Sequence, residues 1–386
     1  MTGLRIGIVA AEPSGDLLAA GLMNALRRRL PGVRFEGVAG PLMCASGIDR
    51  WEPMEQLSVM GLFEVLRHLP RLLRLRGRLE QRWRDTPPAL FIGVDAPDFN
   101  LTLEQRLRDA GVPTVHYVSP TVWAWRSGRV RKIRRSVDLL LTILPFEEAF
   151  LSRQGVASHY VGHPLACEMP LEPDRAGARD VLGIHPGRPL LALLPGSRRS
   201  EVARLARPFL ETAAALRQHV PDLAVVVPLA SESTLAQFRQ IHAGMNTGLE
   251  LQAAVGNSRL ALAAADVVLT ASGTATFEAL LSKRPMVVGY KLSAATYRFA
   301  RLFRLVKVEH VAMANLLAGS RLAPEFIQDT CEPAHLVPPL LEFFRDRDLC
   351  ARIAARYREV HEALRMDTNG AAAEAVIGLL RARGVL

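Results

Sequence analysis

"ADVVLTASGTATFEALL", residues 265–281, indicates the fold class of this chain. An apolar run ends in small and hydroxyl-bearing residues around Gly273, and a helical pattern that contains Glu278 follows at once. Fully apolar strands that alternate with helices are typical of parallel sheets covered on both faces. We therefore predict a buried strand, a turn and a helix in this stretch, as one repeat of an α/β protein.

The same succession of apolar run and helix recurs along the chain. The apolar runs are "IGIVAA", "RFEGVAG", "ALFIGVDAP", "PTVHYVSP" and "VDLLLTIL" in the first half, then "PLLALLPGS", "LAVVVPLA", "LELQAAV" and "RPMVVGY" in the second. Between the halves, a segment from about Pro164 to Pro189 is rich in proline, glycine and charge, which predicts a linker. The simplest architecture is two similar βα domains facing one cleft, with ligands at the carboxyl ends of the strands.

Length and composition agree with this architecture and leave the partner open. A chain of 386 residues, of which 49% are hydrophobic, suits two domains with large cores. The net charge of +10 favours an anionic partner, which is a nucleic acid, a phosphorylated ligand or an anionic membrane, although a generally basic proteome explains part of it. The four cysteines lack metal-site or disulfide spacing, which fits a reducing cytoplasm.

The turn in the quoted stretch is suited to holding phosphate. Backbone N–H groups at a helix N-terminus attract anions, and Gly273 lets a ligand approach the backbone closely. Ser272, Thr274 and Thr276 add hydroxyl donors. Glu278 lies where it can accept a hydrogen bond from a ribose hydroxyl. The alternative is an ordinary helix start, capped by serine or threonine and stabilised by the glutamate through the helix dipole.

A second loop, "LLPGSRRSEV" at residues 193–202, repeats this arrangement in the same half of the chain. Gly196 and Ser197 end the apolar run, and Arg198 follows at the expected start of a helix. An arginine in this position can pair with a diphosphate, although a basic surface turn has the same sequence. Two such loops in one domain favour a nucleotide more strongly than either does alone.

In the first half, "AAEPSGDLLAAGL" at residues 10–22 is the corresponding loop. It lacks the full glycine fingerprint of a dinucleotide fold, so the sequence gives NAD binding little support. Ser14 and Asp16 either cap the helix or hydrogen-bond a polar ligand.

A further loop, "GVDAPDFNL" at residues 93–101, puts two carboxylates at a strand end. Asp95 or Asp98 can act as a general base when it is held against a hydroxyl donor. An Asp–Pro turn with structural hydrogen bonds is the alternative.

Two arginine-rich segments carry apolar side chains among their charges. In "YVSPTVWAWRSGRVRKIRRS", residues 117–136, Trp123 and Trp125 either stack nucleic-acid bases or pack a loop that faces phosphate. The stretch 57–84 has apolar residues at helical spacing among arginines, which suits the interface of an anionic membrane. The alternative is a two-part helix, kinked at Pro70, that covers the sheet. We expect both, with one side packed and the rest facing lipid through Leu62, Phe63, Leu66, Leu69, Leu72 and Leu75.

Several motifs in register identify a family. In chain order they are "EPSGDLLAAGL", "GVDAPDFNL", "YVSPTVWAWRSGRVRKI", "LPFE", "YVGHPL", "LLPGSRRSEV" and "TASGTATFEALL". With these motifs the chain resembles the lipid-A-disaccharide synthase family over nearly its whole length, and "SPTVWAWR" and "LLPGSR" are the most specific pieces. The later segment "VEHVAMANLLAGSRLAPEFIQ" matches the family's Asn-Leu-Leu-Ala-Gly segment. Ala312, Met313 and Ala314 stand where the family commonly has Ser-Leu-Pro before the asparagine, which is Asn315 in this chain.

The resemblance implies an α/β fold of two Rossmann-like domains facing a cleft, the GT-B type. Residues 1–165 are expected to form the acceptor and membrane-facing domain and residues 166–345 the UDP-sugar donor domain. Residues 346–386 are expected to form C-terminal helices that pack on the first domain or are exchanged in a dimer. The implied reaction is an inverting transfer of 2,3-diacylglucosamine from UDP-2,3-diacylglucosamine to 2,3-diacylglucosamine 1-phosphate (lipid X). It yields a β-1,6-linked disaccharide 1-phosphate and UDP, and it needs no metal or other cofactor.

The same resemblance implies roles for individual residues. Asp98 is the expected catalytic base, with Asp95 as the second candidate. The acceptor side is expected to include Ser14, Gly15 and Asp16. The implied donor-binding residues are Gly196, Ser197, Arg198, Ser272, Gly273, Thr274, Ala275, Thr276, Glu278 and Asn315.

The implied partners are the two lipid substrates and the anionic surface of the inner membrane. The protein is expected to be peripheral on the cytoplasmic face of that membrane, as a monomer or as a homodimer that exchanges C-terminal segments. No nucleic acid is expected. Two alternatives stay open: a UDP-sugar epimerase of the same fold, which also needs nucleotide loops, and a basic nucleic-acid-binding protein, which has no need of a cleft.

Overall fold

The computed structural model describes residues 3–57, 62–122, 128–245, 247–292 and 310–386, and between 62 and 68 it describes the backbone alone. In these ranges the strands are β1 (Arg5–Ala10), β2 (Arg34–Ala39), β3 (Asp49–Pro53), β4 (Leu90–Val94), β5 (Thr114–Tyr117), β6 (Leu139–Thr142), β7 (Ser158–Tyr160), β8 (Leu190–Leu194), β9 (Ala224–Leu229), β10 (Gln252–Val255), β11 (Val267–Ala271), β12 (Met286–Tyr290) and β13 (Glu325–Ile327). The helices are α1 (Pro13–Arg29), α2 (Pro41–Ala45), α3 (Leu62–Asp85), α4 (Pro97–Asp109), α5 (Arg129–Ser136), α6 (Pro145–Ser152), α7 (Pro164–Glu168), α8 (Arg175–Leu182), α9 (Arg199–Arg217), α10 (Glu232–Ala243), α11 (Ser258–Ala264), α12 (Thr274–Leu281), α13 (Met313–Ala318), α14 (Pro333–Arg345), α15 (Arg347–Leu364) and α16 (Thr368–Ala382).

Two parallel sheets organise the chain, which confirms the predicted α/β class. One has seven strands in the order β3-β2-β1-β4-β5-β6-β7, and the other has six in the order β10-β9-β8-β11-β12-β13. Strands such as β8 and β11 are buried along their whole length because helices cover both faces, as their uninterrupted apolar sequences predict. The strand order reverses between β1 and β4 and again between β8 and β11. Loops diverge at such a point, so each reversal opens a crevice beyond the carboxyl ends of the strands.

Each sheet belongs to one of two compact units. The first unit comprises residues 1–164 and 365–386 and holds the seven-stranded sheet. The second unit comprises residues 165–364 and holds the six-stranded sheet. The chain therefore completes the first unit with its last helix.

That last helix, α16, is part of the first unit's core. Its Ile377 and Leu380 are buried in the same cluster as Ile8 of β1 and Leu22 of α1. Burying a leucine or isoleucine side chain stabilises a fold by about 1.5–3 kcal/mol. The sheet of the first unit is thus covered on this face by helices from both ends of the chain.

The second half of α3 covers the opposite face of the same sheet. Leu75, Leu79 and Trp83, spaced one helical turn apart, are buried in one cluster with Val9 and Phe91. Leu75 is only 1% exposed. The prediction that Leu75 faces lipid is therefore wrong, because this position points at the sheet.

Candidate functional site

A cavity of about 360 Å³ opens at the carboxyl edge of the second unit's sheet. Residues at or just beyond the ends of five strands line it, so its walls come from loops that the parallel topology gathers at one edge. The lining residues are Leu194, Gly196, Ser197, Arg198, Glu201, Pro228, Leu229, Ala230, Gly256, Ser258, Ala271, Ser272, Gly273, Thr274, Ala275, Glu278 and Tyr290. Eight of the ten predicted donor-binding residues are in this set, and they lie on the two loops beside the β8/β11 reversal.

The N-terminus of α12 faces this cavity with unoccupied donors. Gly273 precedes the helix at φ 136°, a conformation that L side chains rarely adopt. The N–H groups of Thr274 and Ala275 make no backbone hydrogen bond within the described part of the chain. The Ser272 hydroxyl donates to the Val311 carbonyl at 3.0 Å, which fixes the turn. This helix end offers two backbone donors and a positive dipole to an anion.

The N-terminus of α9 is arranged differently, which corrects the expectation of two equivalent helix ends. Glu201 folds back so that its Oε2 accepts from the Ser197 N–H at 3.0 Å and the Arg198 N–H at 3.2 Å. Gly196 is required, because a Cβ there would lie 2.5 Å from the Glu201 Cβ. The N–H groups of Ser197 and Arg198, the two that line the cavity on this side, are therefore taken by a carboxylate of the chain itself. The Arg198 side chain is 74% exposed and lies 3.6 Å from the Glu201 carboxylate, and it remains accessible to an anion.

Glu278 lies on the wall of the cavity one turn into α12. Burial raises the pKa of its carboxyl, while Arg259 and a hydrogen bond with Ser258 oppose that shift. The Arg259 Nε lies 3.9 Å from the Glu278 Oε1. The carboxylate is thus oriented from one side and presents its accepting oxygens beside the α12 N-terminus.

Thr276 and Asn315, both predicted to bind the donor, lie behind the cavity wall. The Thr276 hydroxyl donates to the Gly273 carbonyl at 2.8 Å and accepts from the Met313 N–H at 3.1 Å. Asn315 is completely buried, and its amide bonds the Ala323 backbone in both directions. The direct contact predicted for these two residues is therefore wrong, because the fold uses their polar atoms to hold the loops.

A carboxylate ties Asn315 to the turn that faces the cavity. Glu325 accepts from the Asn315 amide at 2.8 Å and from the N–H groups of Val311 and Ala312 at 3.0 and 2.9 Å. Because the Val311 carbonyl in turn accepts from the Ser272 hydroxyl, hydrogen bonds connect Asn315 to the loop that lines the cavity.

Sequence reasoning missed several residues that line the cavity. They are Leu194, Glu201, Pro228, Leu229, Ala230, Gly256, Ser258, Ala271 and Tyr290. The sequence could have identified most of them, because they lie where an apolar run ends. In open α/β sheets, ligands bind beyond the carboxyl ends of the strands, and this applies to every strand of the sheet. Tyr290 is the one aromatic ring in this set, and burial raises the pKa of its hydroxyl.

In the first unit, a separate cavity of about 360 Å³ lies where β4 and β5 end. Asp95, Val118 and Arg129 are among its lining residues. The backbone is strained on both loops, with φ values of 52° at Asp95, 43° at Ala96 and 78° at Val118. Non-glycine residues persist in this region only when the surrounding structure imposes it, and such strain clusters at functional sites.

Asp98 is the accessible carboxylate of this loop. It lies in the first turn of α4 and is 82% exposed. Its Oδ1 accepts a hydrogen bond from the Arg129 guanidinium at 2.6 Å. Asp95 lines the cavity but is half-buried. Asp98 is therefore the carboxylate of the pair with the freer access to a hydroxyl donor.

Asp16, predicted on the acceptor side, is committed to the fold. It is buried, and its two oxygens accept from the N–H groups of Gly40, Leu42 and Met43 at 2.9–3.1 Å. It caps α2 from the first turn of α1, so the prediction that it hydrogen-bonds a ligand is wrong. Ser14 is exposed and Gly15 is buried on the same turn.

The predicted lipid-facing stretch is partly outside the described residues. Leu69 and Leu73 of α3 are 41% and 45% exposed, and the neighbouring Arg71 and Arg74 are exposed too. Leu72 is half-buried. The side chains of Leu62, Phe63 and Leu66, and all of Trp123 and Trp125, lie outside the described residues.

Among the described residues, no helix has the length and hydropathy to cross a bilayer. No group of three His, Cys, Asp or Glu side chains there could hold a metal ion.

Comparison with known proteins gives a family match over nearly the whole chain. A family model described as lipid-A-disaccharide synthetase matches residues 6–376. The lipid-A-disaccharide synthase of Alkalilimnicola ehrlichii is 50% identical over 383 residues, which cover 99% of this chain and 100% of that protein. The lipid-A-disaccharide synthase of Escherichia coli strain SMS-3-5 is 48% identical over 376 residues, 97% of this chain and 98% of that protein.

Solved structures with low sequence identity share the fold. CalG4, the calicheamicin glycosyltransferase, has a TM-score of 0.56 at 16% identity, with 100% of both chains covered. The UDP-GlcNAc 2-epimerase of Neisseria meningitidis, bound to UDP-GlcNAc, has a TM-score of 0.61 at 10% identity, with 98% of this chain and 99% of that chain covered. Transferases and epimerases both use this GT-B architecture, so the fold by itself does not separate them.

Proposed function

This chain belongs to the lipid-A-disaccharide synthetase family, and we propose that it is a glycosyltransferase that joins two acylated glucosamine units. The donor is UDP-2,3-diacylglucosamine and the acceptor is 2,3-diacylglucosamine 1-phosphate (lipid X). The products are the β-1,6-linked lipid A disaccharide 1-phosphate and UDP. The observation that carries this proposal is the cavity at the β8/β11 reversal, with its open helix end, its arginine and its half-buried carboxylate.

We assign the donor to this cavity by matching chemistry. The Thr274 and Ala275 N–H groups and the Arg198 guanidinium bind the diphosphate, and Glu278 accepts from the ribose. When the bond between the anomeric carbon and the phosphate oxygen breaks, negative charge grows on the departing UDP. Fixed donors aimed at that charge stabilise the transition state without having to reorganise.

We assign proton removal to Asp98 in the first unit. The oxygen of the acceptor 6-hydroxyl forms the new bond to the anomeric carbon on the face opposite the departing UDP, which inverts the configuration. Its proton passes to the Asp98 carboxylate, which Arg129 orients. Asp95 is the second candidate, and Ser14 and Gly15 belong to the acceptor side of the first unit.

We place the protein at the anionic cytoplasmic face of the inner membrane, where its lipid substrates are. The exposed leucines and arginines of α3 support this assignment, because an apolar and basic helix face suits a lipid interface. For the oligomeric state we keep both a monomer and a dimer that exchanges its C-terminal segments. Residues of α16 are buried with residues of α1, and this is the contact that an exchange between two chains would replace.

The test is a reaction with both lipid substrates, read by mass detection of the disaccharide and of UDP. We expect product only when both substrates are present. Asp98→Asn is expected to lower kcat by about 10²–10⁴-fold, because it removes a general base without changing side-chain size. Turnover of the UDP-sugar without acceptor would favour the epimerase and contradict the proposal.

A further inference from the structure

A group of polar side chains is completely buried beneath the loop that carries Asp98. Asn100 and Glu104 lie one turn apart on α4, and His116 lies next to them on β5. The His116 Nδ1 is 2.6 Å from the Glu104 Oε1. A polar group removed from water destabilises a fold unless it is hydrogen-bonded. Apolar side chains of similar size would fill this space more favourably, so the cluster calls for an explanation.

The cluster is also incompletely satisfied. The Asn100 Oδ1, the Glu104 Oε2 and the His116 Nε2 are buried and have no hydrogen-bond partner in the described part of the chain. Gly93 of β4 makes room for these side chains, because a Cβ there would collide with the Glu104 carboxylate and the Asn100 side chain. Buried polar atoms without a partner are rare in folded proteins, and a functional role is one explanation for them.

Asn100 holds the strained part of the loop. Its Nδ2 donates to the Asp95 carbonyl at 2.8 Å and lies 3.3 Å from the Val94 carbonyl. Asp95 and Ala96 are the two consecutive non-glycine residues with positive φ. The Ala96 carbonyl in turn accepts the first hydrogen bonds of α4, from the Phe99 and Asn100 N–H groups, both at 3.0 Å. The amide of Asn100 thus fixes the direction in which α4 begins, and with it the position of Asp98.

The Glu104–His116 pair fixes the same helix to the neighbouring strand. His116 lies two residues before Val118, the strained residue of the adjoining loop. The Asp95 N–H donates to the Tyr117 carbonyl at 2.8 Å, so the two loops are joined directly as well. The contact between Glu104 and His116 therefore joins α4 to β5, and the backbone hydrogen bond joins the two loops of the cavity.

We propose that Asn100, supported by the Glu104–His116 pair, is a positioning residue for the transfer reaction. It holds the strained turn at residues 95–96 so that the Asp98 carboxylate meets the acceptor hydroxyl. This inference rests on the assignment of Asp98 as the base. Asn100 acts only through the loop, because it is buried and touches neither substrate.

The first test compares Asn100→Ala with Leu103→Ala in the full chain. Leu103 is buried on the same helix in a cluster with Phe91 and Leu107, so its truncation supplies a loss of α4 packing that leaves the Asn100 hydrogen bonds in place. We expect kcat of Asn100→Ala to fall about 10²-fold, since a small displacement of a catalytic group has an effect of this order. The donor KM and the affinity for UDP, whose proposed site lies in the second unit, stay within about threefold of wild type. Leu103→Ala keeps kcat within the same threefold even if its Tm falls further. Equal kcat losses in both variants, in proportion to Tm, would overturn the positioning role.

The second test asks whether Asn100 acts through Asp98. If it does, the double variant Asn100→Ala/Asp98→Asn is no slower than Asp98→Asn alone, because the base that Asn100 positions is already missing. A further 10²-fold loss in the double variant would contradict the proposal. Normal turnover of Asp98→Asn by itself would instead remove Asp98 from the base role, so the two assignments fail separately.

The third test addresses Glu104 by conservative replacement. Glu104→Gln keeps a hydrogen-bonding partner for the His116 ring and is expected to hold kcat within about threefold of wild type. Glu104→Leu has similar size without that partner and is expected to follow Asn100→Ala. If both variants behave alike, the hydrogen bond does not position the loop and the pair has no part in the reaction.

Discussion

At the scale of single residues, the cavity that we assign to the nucleotide depends on which polar atoms are left free. On one side of the cavity Glu201 occupies the N–H groups of Ser197 and Arg198, whereas on the other side those of Thr274 and Ala275 stay open in the described part of the chain. The open end requires Gly273, whose φ of 136° is favourable only without a Cβ. The diphosphate is therefore expected to lie nearer α12 than α9.

Replacing Gly273 tests this requirement. A Cβ at Gly273 would meet no neighbouring atom, so Gly273→Ala acts only through backbone strain of about 1–3 kcal/mol. We expect either a loss of this size in the free energy of unfolding or, if the turn rearranges, at least about tenfold weaker UDP binding by calorimetry. Gly77→Ala is the control, since Gly77 lies within α3, also has open space, and should gain about 0.5–1 kcal/mol. Unchanged stability and affinity in Gly273→Ala would contradict the role of this turn.

The raised pKa of Glu278 predicts that protein stability and UDP binding change in opposite directions with pH. Burial raises its pKa above the ordinary value of 4.5, so its contribution to the stability of the free protein is complete below pH 4.5 and is lost as pH rises through the raised pKa. UDP binding changes the other way, weakening as pH falls through that pKa, because the protonated carboxyl is a poorer acceptor for the ribose. Urea unfolding and calorimetry between pH 4.5 and neutrality measure both effects. Glu278→Gln should remove both, and an unchanged pH profile in that variant would assign them to other groups.

At the scale of elements, we assign α3 two roles along its length, one in the fold and one at the membrane. Its last turns bury Leu79 and Trp83 against the sheet, while Leu69 and Leu73 remain exposed near arginines. A helix that only covered a sheet would have polar residues on its outer face. This distribution separates the part of α3 that holds the fold from the part available to lipid.

The exposed part is tested with vesicles. The double variant Leu69→Ser/Leu73→Ser is expected to bind anionic vesicles at least about tenfold more weakly, because each buried leucine contributes about 1.5–3 kcal/mol. Its thermal stability should stay close to that of wild type. Leu17→Ser, at an exposed leucine of α1, is the matched control and should leave binding unchanged. Equal sedimentation of all three proteins would remove α3 from the membrane surface.

At the scale of the whole molecule, the chain forms two units, and its C-terminal helix α16 belongs to the first of them. Residues 365–386 belong to the first unit, and the ion pair between Arg29 and Glu374, at 2.6 Å, adds to the packing of α16 on α1. The stability of the first unit therefore depends on a helix that is far from the rest of that unit in sequence.

A core truncation in each unit tests this organisation. Leu380→Ala on α16 and Leu216→Ala on α9 both remove a buried leucine, with an expected cost of about 2–5 kcal/mol. Hydrogen exchange should lose protection in the first unit for Leu380→Ala and in the second for Leu216→Ala. UDP affinity should persist in Leu380→Ala. If Leu380→Ala reduced protection only in the second unit, the assignment of α16 to the first unit would be wrong.

The sequence by itself determined the parallel strands, the loops at their carboxyl ends and the family, since apolar runs, glycines and local motifs are readable without the fold. Eight of the ten residues that it assigned to donor binding line one cavity in the structure. Only the tertiary structure decided which of the polar atoms are free. Asp16 accepts hydrogen bonds from the start of α2, and Asn315 is hydrogen-bonded to the Ala323 backbone and to Glu325. Leu75 is buried in the core. The physical reason is competition. A side chain is available to a ligand only when packing brings it no partner of its own, and those partners come from elements that no local motif specifies.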